Sequence, residues 1–179
     1  AAELGRIARV ASERLIRLGN DLLDLDKLGA GKLQLHAEDA EPRVLVGDAL
    51  EQMRGLALGA GVRLVSQVAA SDPIVIDHDR IAQVLNNLLA NAVHFSQRGG
   101  EVRVDVRPGR AGFLRFAVTD HGAGIPRAAL ARLFGKFEQI DGADGRDRSG
   151  TGLGLAISKA IVEQHHGQIG VDSRVGVGS

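Results

Sequence analysis

Two asparagines near the middle of the chain have the spacing and chemistry of a metal-binding pair. Asn87 and Asn91 are four residues apart in a stretch with helical periodicity, so their side chains share one face of a helix. A neutral amide oxygen is a suitable ligand for Mg²⁺ whose charge is already balanced by phosphates. A structural role is the alternative, in which both amides hydrogen-bond to backbone at the edge of a core, and this pair alone favours that alternative.

A carboxylate followed by glycines supplies complementary chemistry farther along the chain. Asp120 follows the apolar run FLRFAVT, and a carboxylate at a strand end can accept a hydrogen bond from an exocyclic amine. Gly122 and Gly124 come next, and glycines allow the backbone to approach a flat ring closely. Considered alone, the segment DHGAGIP is by default interpreted as an ordinary turn with turn glycines.

A second glycine-rich segment, GTGLGLAIS from Gly150 to Ser158, leads into a predicted helix. Free N–H groups and the positive end of the helix dipole can bind phosphate there. The segment is not a P-loop, because no Gly-Lys-Ser/Thr follows, and no strand precedes it as in a dinucleotide fingerprint. The polar stretch DGADGRDRS just before it is typical of a mobile lid or a flexible surface loop. Amides, carboxylate and glycines in this order predict one nucleotide site.

The composition is that of a globular protein with one main core. The chain has 179 residues, of which 25% are charged and 44% hydrophobic, and 22 basic residues balance 22 acidic ones. This balance gives no sign of a nucleic-acid-binding surface. Cys is absent, which excludes disulfides and Cys-ligated metal. No apolar run approaches membrane-spanning length, and the charged, helical start does not fit a signal peptide.

The first thirty residues predict a helix that packs lengthwise in a bundle. Seven apolar residues alternate spacings of four and three, which is a heptad seam: Leu4, Ala8, Ala11, Leu15, Leu18, Leu22 and Leu25. Gly29 and Gly31 end the pattern. A core helix of the following domain is the alternative interpretation.

The rest of the chain alternates between two periodicities. It predicts helices over residues 44–60, 79–95 and 151–165, and strands over 32–36, 62–68, 74–77, 101–106, 113–119 and 168–172. The turn RPGRAG joins two of these strands as a hairpin. Adjacent strands with helices between them favour an α+β fold, a two-layer sandwich with an antiparallel or mixed sheet.

Four segments in this order resemble the N, G1, F and G2 boxes of the catalytic and ATP-binding domain of sensor histidine kinases. They are NNLLANAVHFS, DHGAGIP, LFGKFEQID and GTGLGLAIS. That domain belongs to the gyrase and heat-shock-chaperone ATPase superfamily, with the Bergerat fold. The resemblance spans Lys32 to Ser179, and the stretch from Glu13 to Leu35 resembles the second helix of the family's dimerisation and phosphoacceptor hairpin. It implies an incomplete hairpin helix over 1–30 and an ATP-binding domain over 31–179 whose last strand is truncated.

The resemblance also implies a role for each motif residue. Asn91 would coordinate Mg²⁺, and Asp120 would bind the adenine amino group of ATP. Asn87 would be a catalytic residue near the phosphates, where other superfamily ATPases have a catalytic Glu. Phe134 and Phe137 would anchor the lid. The further residues implied in nucleotide binding are His94, Gly122, Gly124, Ile125, Lys136, Phe137, Arg148, Gly150, Thr151, Gly152, Leu153 and Gly154.

Two positions depart from the family pattern. His94 stands where the family usually has Lys or Arg, and histidine is only partly charged at neutral pH. Weaker or more pH-dependent nucleotide binding is one expectation, and a simple polar residue at a helix end is the other. Ser149 stands where glycine is frequent, with little expected effect.

No histidine of the chain has the setting of the family's phosphoacceptor, His-Glu-Leu-Arg-Thr-Pro. The six histidines are His36, His78, His94, His121, His165 and His166. The resemblance therefore implies a cytoplasmic kinase region that transfers the ATP γ-phosphate to a histidine on a helix outside this chain, without phosphorylating itself. It implies a homodimer through the helical bundle, a response regulator receiver domain as partner, no nucleic acid, and membrane attachment only through other regions. A related ATPase or serine kinase, and a non-catalytic ATP-sensing or dimerisation module, are the alternatives.

Overall fold

The computed structural model describes residues 34–70, 72–110, 112–138 and 151–179, together with four isolated positions, Gly5, Ser12, Leu15 and Gly19. The elements in chain order are β1 (Glu38–Ala40), α1 (Pro42–Ala60), β2 (Arg63–Val68), β3 (Ile74–Ile76), α2 (His78–Phe95), β4 (Glu101–Pro108), β5 (Leu114–Thr119), α3 (Arg127–Leu130) and α4 (Gly154–Gln164). In the described ranges, three longer helices therefore accompany five strands.

The ends of the two long helices follow from local chemistry. Pro42 begins α1, where its missing N–H is no loss and its fixed φ suits the helix. Gly61 ends it in the left-handed region, with φ of 68°. Asp77 caps α2, because its side chain accepts a hydrogen bond from the Arg80 N–H. These signals define the two helices that cover the sheet.

Five strands form two small sheets. In the three-stranded sheet, β4 lies in the centre, parallel to β2 and antiparallel to β5. β1 and β3 pair antiparallel in a two-stranded sheet. The three-stranded sheet is therefore mixed, and the predicted α+β sandwich of a mixed sheet packed on helices is confirmed.

The main core lies between α1, α2 and one face of the three-stranded sheet. Alternate residues of β4 point into it, as the period of two requires. Its fully buried large side chains are Leu45, Val46, Leu85, Leu89, Val93, Val102, Val104 and Val106. A second cluster, formed by Val84, Leu153, Ile157 and Ile161, joins α2 to α4. This second cluster places the start of α4 beside the middle of α2.

Two predicted strands are wrong. Residues 168–172 form no strand, although alternate residues there are half-buried, because no strand in the described part of the chain pairs with them. Pairing near the described C-terminal end is limited to an isolated bridge between Arg174 and Gly178. Residues 34–36, which belong to the strand predicted over 32–36, form no strand either. The strand lies at Glu38–Ala40 because pairing with β3 sets its register.

One helix begins later than predicted. α4 starts at Gly154 rather than at residue 151, because Gly152 has a left-handed φ of 71° that no helix continues. The predicted bundle helix lies outside the described residues except at four helical, exposed positions. Of its seam, Leu15 is described and is 68% exposed. Within the part of the chain that the structure describes, no helix has the length and apolarity needed to cross a membrane.

Candidate nucleotide-binding site

Asn87 connects α2 to the first turn of α4. Its Nδ2 donates to the Gly154 carbonyl oxygen at 3.2 Å and to the Ser158 Oγ at 3.4 Å. A Cβ at Gly154 would lie 3.3 Å from Asn87 Oδ1, so glycine leaves room for this contact. The structure therefore brings the first asparagine of the pair against the glycine turn, as the prediction of one site requires.

Asn91 lies one turn farther along α2 than Asn87. Its side chain is exposed, whereas Asn87 is half-buried. His94, in the last turn of α2, is also exposed, and its ring meets the Phe95 ring edge to face with 4.8 Å between centroids. The two asparagines thus have different surroundings: one bonds to protein and the other is open to a ligand.

Asp120 is a buried carboxylate directly after β5. It is 9% exposed, and its Oδ1 accepts a hydrogen bond from the Gly122 N–H at 2.8 Å. Burial raises the pKa of Asp120 above its ordinary value of 3.8, against the opposing effects of the Gly122 and Ser179 N–H groups and of His121. The chain therefore leaves this carboxylate incompletely compensated, as is common where a ligand completes a site.

Glycine is required at two positions of the loop that follows this carboxylate. A Cβ at Gly122 would collide with the carbonyl oxygen of Phe95, the last residue of α2. Gly124 has a φ of 69°, and a Cβ there would collide with the carbonyl oxygen of Arg174. Both predicted pocket glycines thus permit close backbone approach, although the neighbour in each case is protein backbone.

The loop after Asp120 is held by the C-terminal residues that the sequence analysis left out. The Ile125 N–H donates to Ser173 Oγ at 2.7 Å, and Ser173 Oγ also lies 2.8 Å from Ser179 Oγ. The Asp120 N–H donates to the Ser179 carbonyl oxygen at 2.9 Å. A signal was available in the segment SRVGVGS, whose glycines and serines are typical of a tight turn.

The glycine turn before α4 meets the segment that was predicted to anchor the lid. A Cβ at Gly152 would lie 2.9 Å from the Phe137 carbonyl carbon. Phe137 itself has a φ of 61°, a conformation that is uncommon for a bulky residue, and its side chain is 63% exposed. Leu153 is fully buried in the cluster between α2 and α4, so its side chain anchors the turn.

The predicted site residues therefore fall into three groups. Those that the structure brings into contact with another motif are Asn87 with Gly154, Gly152 with Phe137, and Gly122 with Phe95. Asn91, His94, Lys136 and Phe137 have exposed side chains. Arg148, Gly150 and the predicted lid over 141–149 lie outside the described residues. Ser158, which is fully buried and contacts Asn87, was missed, although it stands four residues after Gly154 on the same helix face.

Comparison with known proteins identifies the family. The model for "Histidine kinase-, DNA gyrase B-, and HSP90-like ATPase" matches residues 76–179. The chain belongs to this family. Within it, the chain is an ATP-binding catalytic domain of the two-component sensor histidine kinase type, and both the predicted family and the predicted fold are confirmed.

Curated relatives are sensor kinases of greater length. The chain is 38% identical over 173 residues to the circadian input-output histidine kinase CikA of Synechococcus elongatus, covering 94% of this chain and 23% of that protein. It is 36% identical over 180 residues to the histidine protein kinase DivJ of Caulobacter vibrioides, covering 99% and 30%. The chain thus spans less than a third of the length of either relative.

Solved histidine kinases have the same fold. Full-length ShkA in complex with AMPPNP superimposes with a TM-score of 0.85 at 30% identity, over 99% of this chain and 37% of that one. The Acinetobacter baumannii histidine kinase AdeS superimposes with a TM-score of 0.78 at 25% identity, over 93% and 76%. The similarity to ShkA extends over nearly the whole chain.

Proposed function

We propose that this chain binds Mg²⁺-ATP and presents the γ-phosphate to a histidine on a helix outside the chain. The observation that carries the proposal is the contact of Asn87 with the first turn of α4, which sets the amide segment of α2 against the glycine turn. The similarity to ShkA, which was solved with an ATP analogue, supports the same ligand here. The loop that follows Asp120 meets the C-terminal end of α2 at Phe95.

The adenine end of the site depends on Asp120. An ionised carboxylate accepts a hydrogen bond from the adenine amino group, and guanine carries a carbonyl oxygen at the equivalent position, which a carboxylate repels. Gly122 and Gly124 keep the neighbouring backbone close and leave no side chain over the ring. The carboxylate thereby selects adenine over guanine.

The phosphate end depends on the helix start and on Asn91. The N–H groups and dipole of the turn before α4 favour the phosphates. Among the described residues, no group of three His, Asp or Glu side chains could hold a metal ion. One exposed amide oxygen nevertheless fits Mg²⁺, which proteins bind through one or two side chains together with substrate phosphates. When bound, Mg²⁺ would neutralise charge on the β- and γ-phosphates.

Asn87 argues for transfer to a protein acceptor over hydrolysis. An amide cannot take a proton from water at neutral pH, and its Nδ2 is already engaged with α4. Asn87 therefore holds the glycine turn in place, and the acceptor histidine itself must be the nucleophile. Catalysis by the chain then consists of positioning and charge neutralisation.

The remaining parts of the proposal concern the whole kinase. Residues 1–30 form the second helix of the dimerisation hairpin, and residues 31–179 form the ATP-binding domain. The whole kinase acts as a homodimer through this helical bundle, in the cytoplasm. It passes the phosphoryl group to an aspartate of a response regulator receiver domain. The chain alone does not phosphorylate itself, since none of its six histidines has the acceptor setting.

Calorimetry with ATP and GTP, with and without Mg²⁺, tests the site. Asp120→Ala should weaken ATP binding about 10- to 100-fold and remove the preference over GTP, because the amino group loses a charged acceptor. Asn91→Ala should weaken binding only when Mg²⁺ is present. Asn86→Ala is the matched control, since its Nδ2 donates to Gln52 Oε1 on α1 and it lies away from the site. Unchanged adenine selectivity in Asp120→Ala, or equal losses with and without Mg²⁺ in Asn91→Ala, would contradict these assignments.

A further inference from the structure

The carboxylate of Asp77 joins two separate segments at the start of α2. Its Oδ1 accepts from the Arg80 N–H at 3.1 Å, which caps the helix. Its Oδ2 accepts from the His36 N–H at 2.9 Å, in the segment that leads into β1. Asp77 is 6% exposed, so these partly buried bonds are shielded in part from competing water. The position of the segment before β1 is therefore tied to α2.

The backbone of Asp77 reaches a third segment. Its N–H donates to the Nε2 of His165 at 3.0 Å, across 88 residues of sequence. His165 follows the last residue of α4, and its Nδ1 lies 2.8 Å from the Ile161 carbonyl oxygen. A carbonyl oxygen only accepts, so Nδ1 carries the proton and Nε2 offers its lone pair to Asp77. The neutral tautomer of His165 is therefore defined by both partners.

α2 and α4 are consequently joined by hydrogen bonds at two places. Asp77 and His165 join the start of α2 to the end of α4, while Asn87 and Gly154 join the middle of α2 to the start of α4. Apolar packing of Val84 and Ile157 lies between these two contacts. Any shift of α4 along α2 has to disturb both places together.

We propose that His165 is a positioning residue that couples the segment before β1 to the nucleotide site. This inference rests on the proposed function, because ATP is the ligand assigned to the other end of α4. Nucleotide bound at the glycine turn stabilises the position of α4, and His165 directly follows the last residue of α4. His165 accepts a hydrogen bond from the Asp77 N–H, and the Asp77 carboxylate accepts one from the His36 N–H. Energetic coupling between two sites is reciprocal, so the position of the segment before β1 also affects the nucleotide site.

Hydrogen exchange of the full chain, with and without ATP, tests this coupling. In the parent, saturating ATP should slow exchange of the His36 and Asp77 amides about fivefold or more, the lower end of measured couplings. His165→Ala should abolish this slowing at His36 while the calorimetric affinity for ATP stays within about threefold of the parent. The glycine turn at Gly152 to Gly154 should still be protected by ATP in the variant.

Two further substitutions separate positioning from general loss of structure. His165→Gln should retain the effect, because its Oε1 can reach the place of Nε2 and accept from Asp77. His165→Asn should lose it, because the shorter amide reaches only the place of Nδ1. His166→Asn is the control, since His166 is exposed, has a φ of 58° that asparagine tolerates, and should leave the effect unchanged.

The outcomes distinguish the two proposals. A parent chain that does not bind ATP defeats the proposed function. ATP binding without any change at His36 in the parent overturns the coupling and leaves the proposed function intact. Slowing at His36 that persists in both His165→Ala and His165→Asn overturns the role of His165.

Discussion

Two buried carboxylates stand at strand ends in this domain, and their surroundings differ. Asp77 follows β3 and is 6% exposed, while Asp120 follows β5 and is 9% exposed. Burial by itself raises the pKa of both carboxylates. For Asp77 the N–H groups of His36 and Arg80 and the Arg80 charge outweigh it, so the pKa lies below 3.8. For Asp120 burial prevails, and the pKa lies above 3.8.

The difference separates a carboxylate that serves the fold from one that remains available to a ligand. Both oxygens of Asp77 accept backbone N–H groups of the chain itself, so its charge is compensated before any ligand arrives. The Asp120 carboxylate accepts the Gly122 N–H at 2.8 Å, and this bond together with the weaker effect of the Ser179 N–H does not offset burial, so it keeps the capacity to accept another donor. A buried carboxylate thus becomes informative about function only when its hydrogen bonds are counted.

The largest expected effect comes from placing a side chain beside Asp120. Gly122→Ala puts a Cβ against the Phe95 carbonyl oxygen and 2.9 Å from Asp120 Oδ1, so the loop must move. We expect ATP affinity to fall more than about 100-fold and the free energy of unfolding to fall by about 1–3 kcal/mol. Calorimetry and urea denaturation measure the two. Gly170→Ala, with no atom within 4 Å of its Cβ, is the control; parent-like ATP binding by Gly122→Ala would refute the close approach.

An intermediate effect should distinguish the two carboxylates by stability. Asp77→Ala removes the helix cap of α2 and should lower the free energy of unfolding by about 1–2 kcal/mol, with ATP affinity retained within about threefold. Asp120→Ala removes a charge that burial disfavours, so its free energy of unfolding should stay within about 0.5 kcal/mol of the parent or rise. Urea denaturation near neutral pH compares them. Equal destabilisation by the two substitutions would remove the distinction.

The smallest effect is the pH dependence of stability, which should have opposite signs at the two sites. The stabilisation from Asp77 is present above pH 3.8 and is lost as pH falls through its lowered folded pKa. For Asp120 the folded state binds the proton more tightly, so stability declines as pH rises from 3.8 through its raised pKa. Each contribution amounts to about 1.4 kcal/mol per pH unit between the folded and unfolded pKa values.

Melting temperatures of the parent, Asp77→Asn and Asp120→Asn across acid pH measure both contributions. The loss of stability on acidification should shrink in Asp77→Asn, and the decline above pH 3.8 should shrink in Asp120→Asn. Changes of the same sign in both variants would show that one of the two carboxylates lacks the surroundings described here.

The sequence by itself determined the family and most of the elements. Helical spacing placed Asn87 and Asn91 on one face, period-two runs predicted β4 and β5 nearly to their ends, and glycines marked the two turns. These features are encoded locally, in residues that are close neighbours along the chain. The strand predicted over 168–172 failed for the same reason, since alternation is local whereas a strand also needs a partner.

Only the tertiary structure decided which distant groups meet. The bond of Asp77 to His165 spans 88 residues, and that of Ile125 to Ser173 spans 48. The sequence around His165 and around Ser173 does not predict which residue each of them contacts. The two carboxylates at strand ends are also preceded by similar apolar runs in the sequence. Their opposite pKa shifts arise from burial and from N–H groups that packing brings from elsewhere. Local patterns specify elements, while the electrostatics of a buried group depend on everything that the fold places around it.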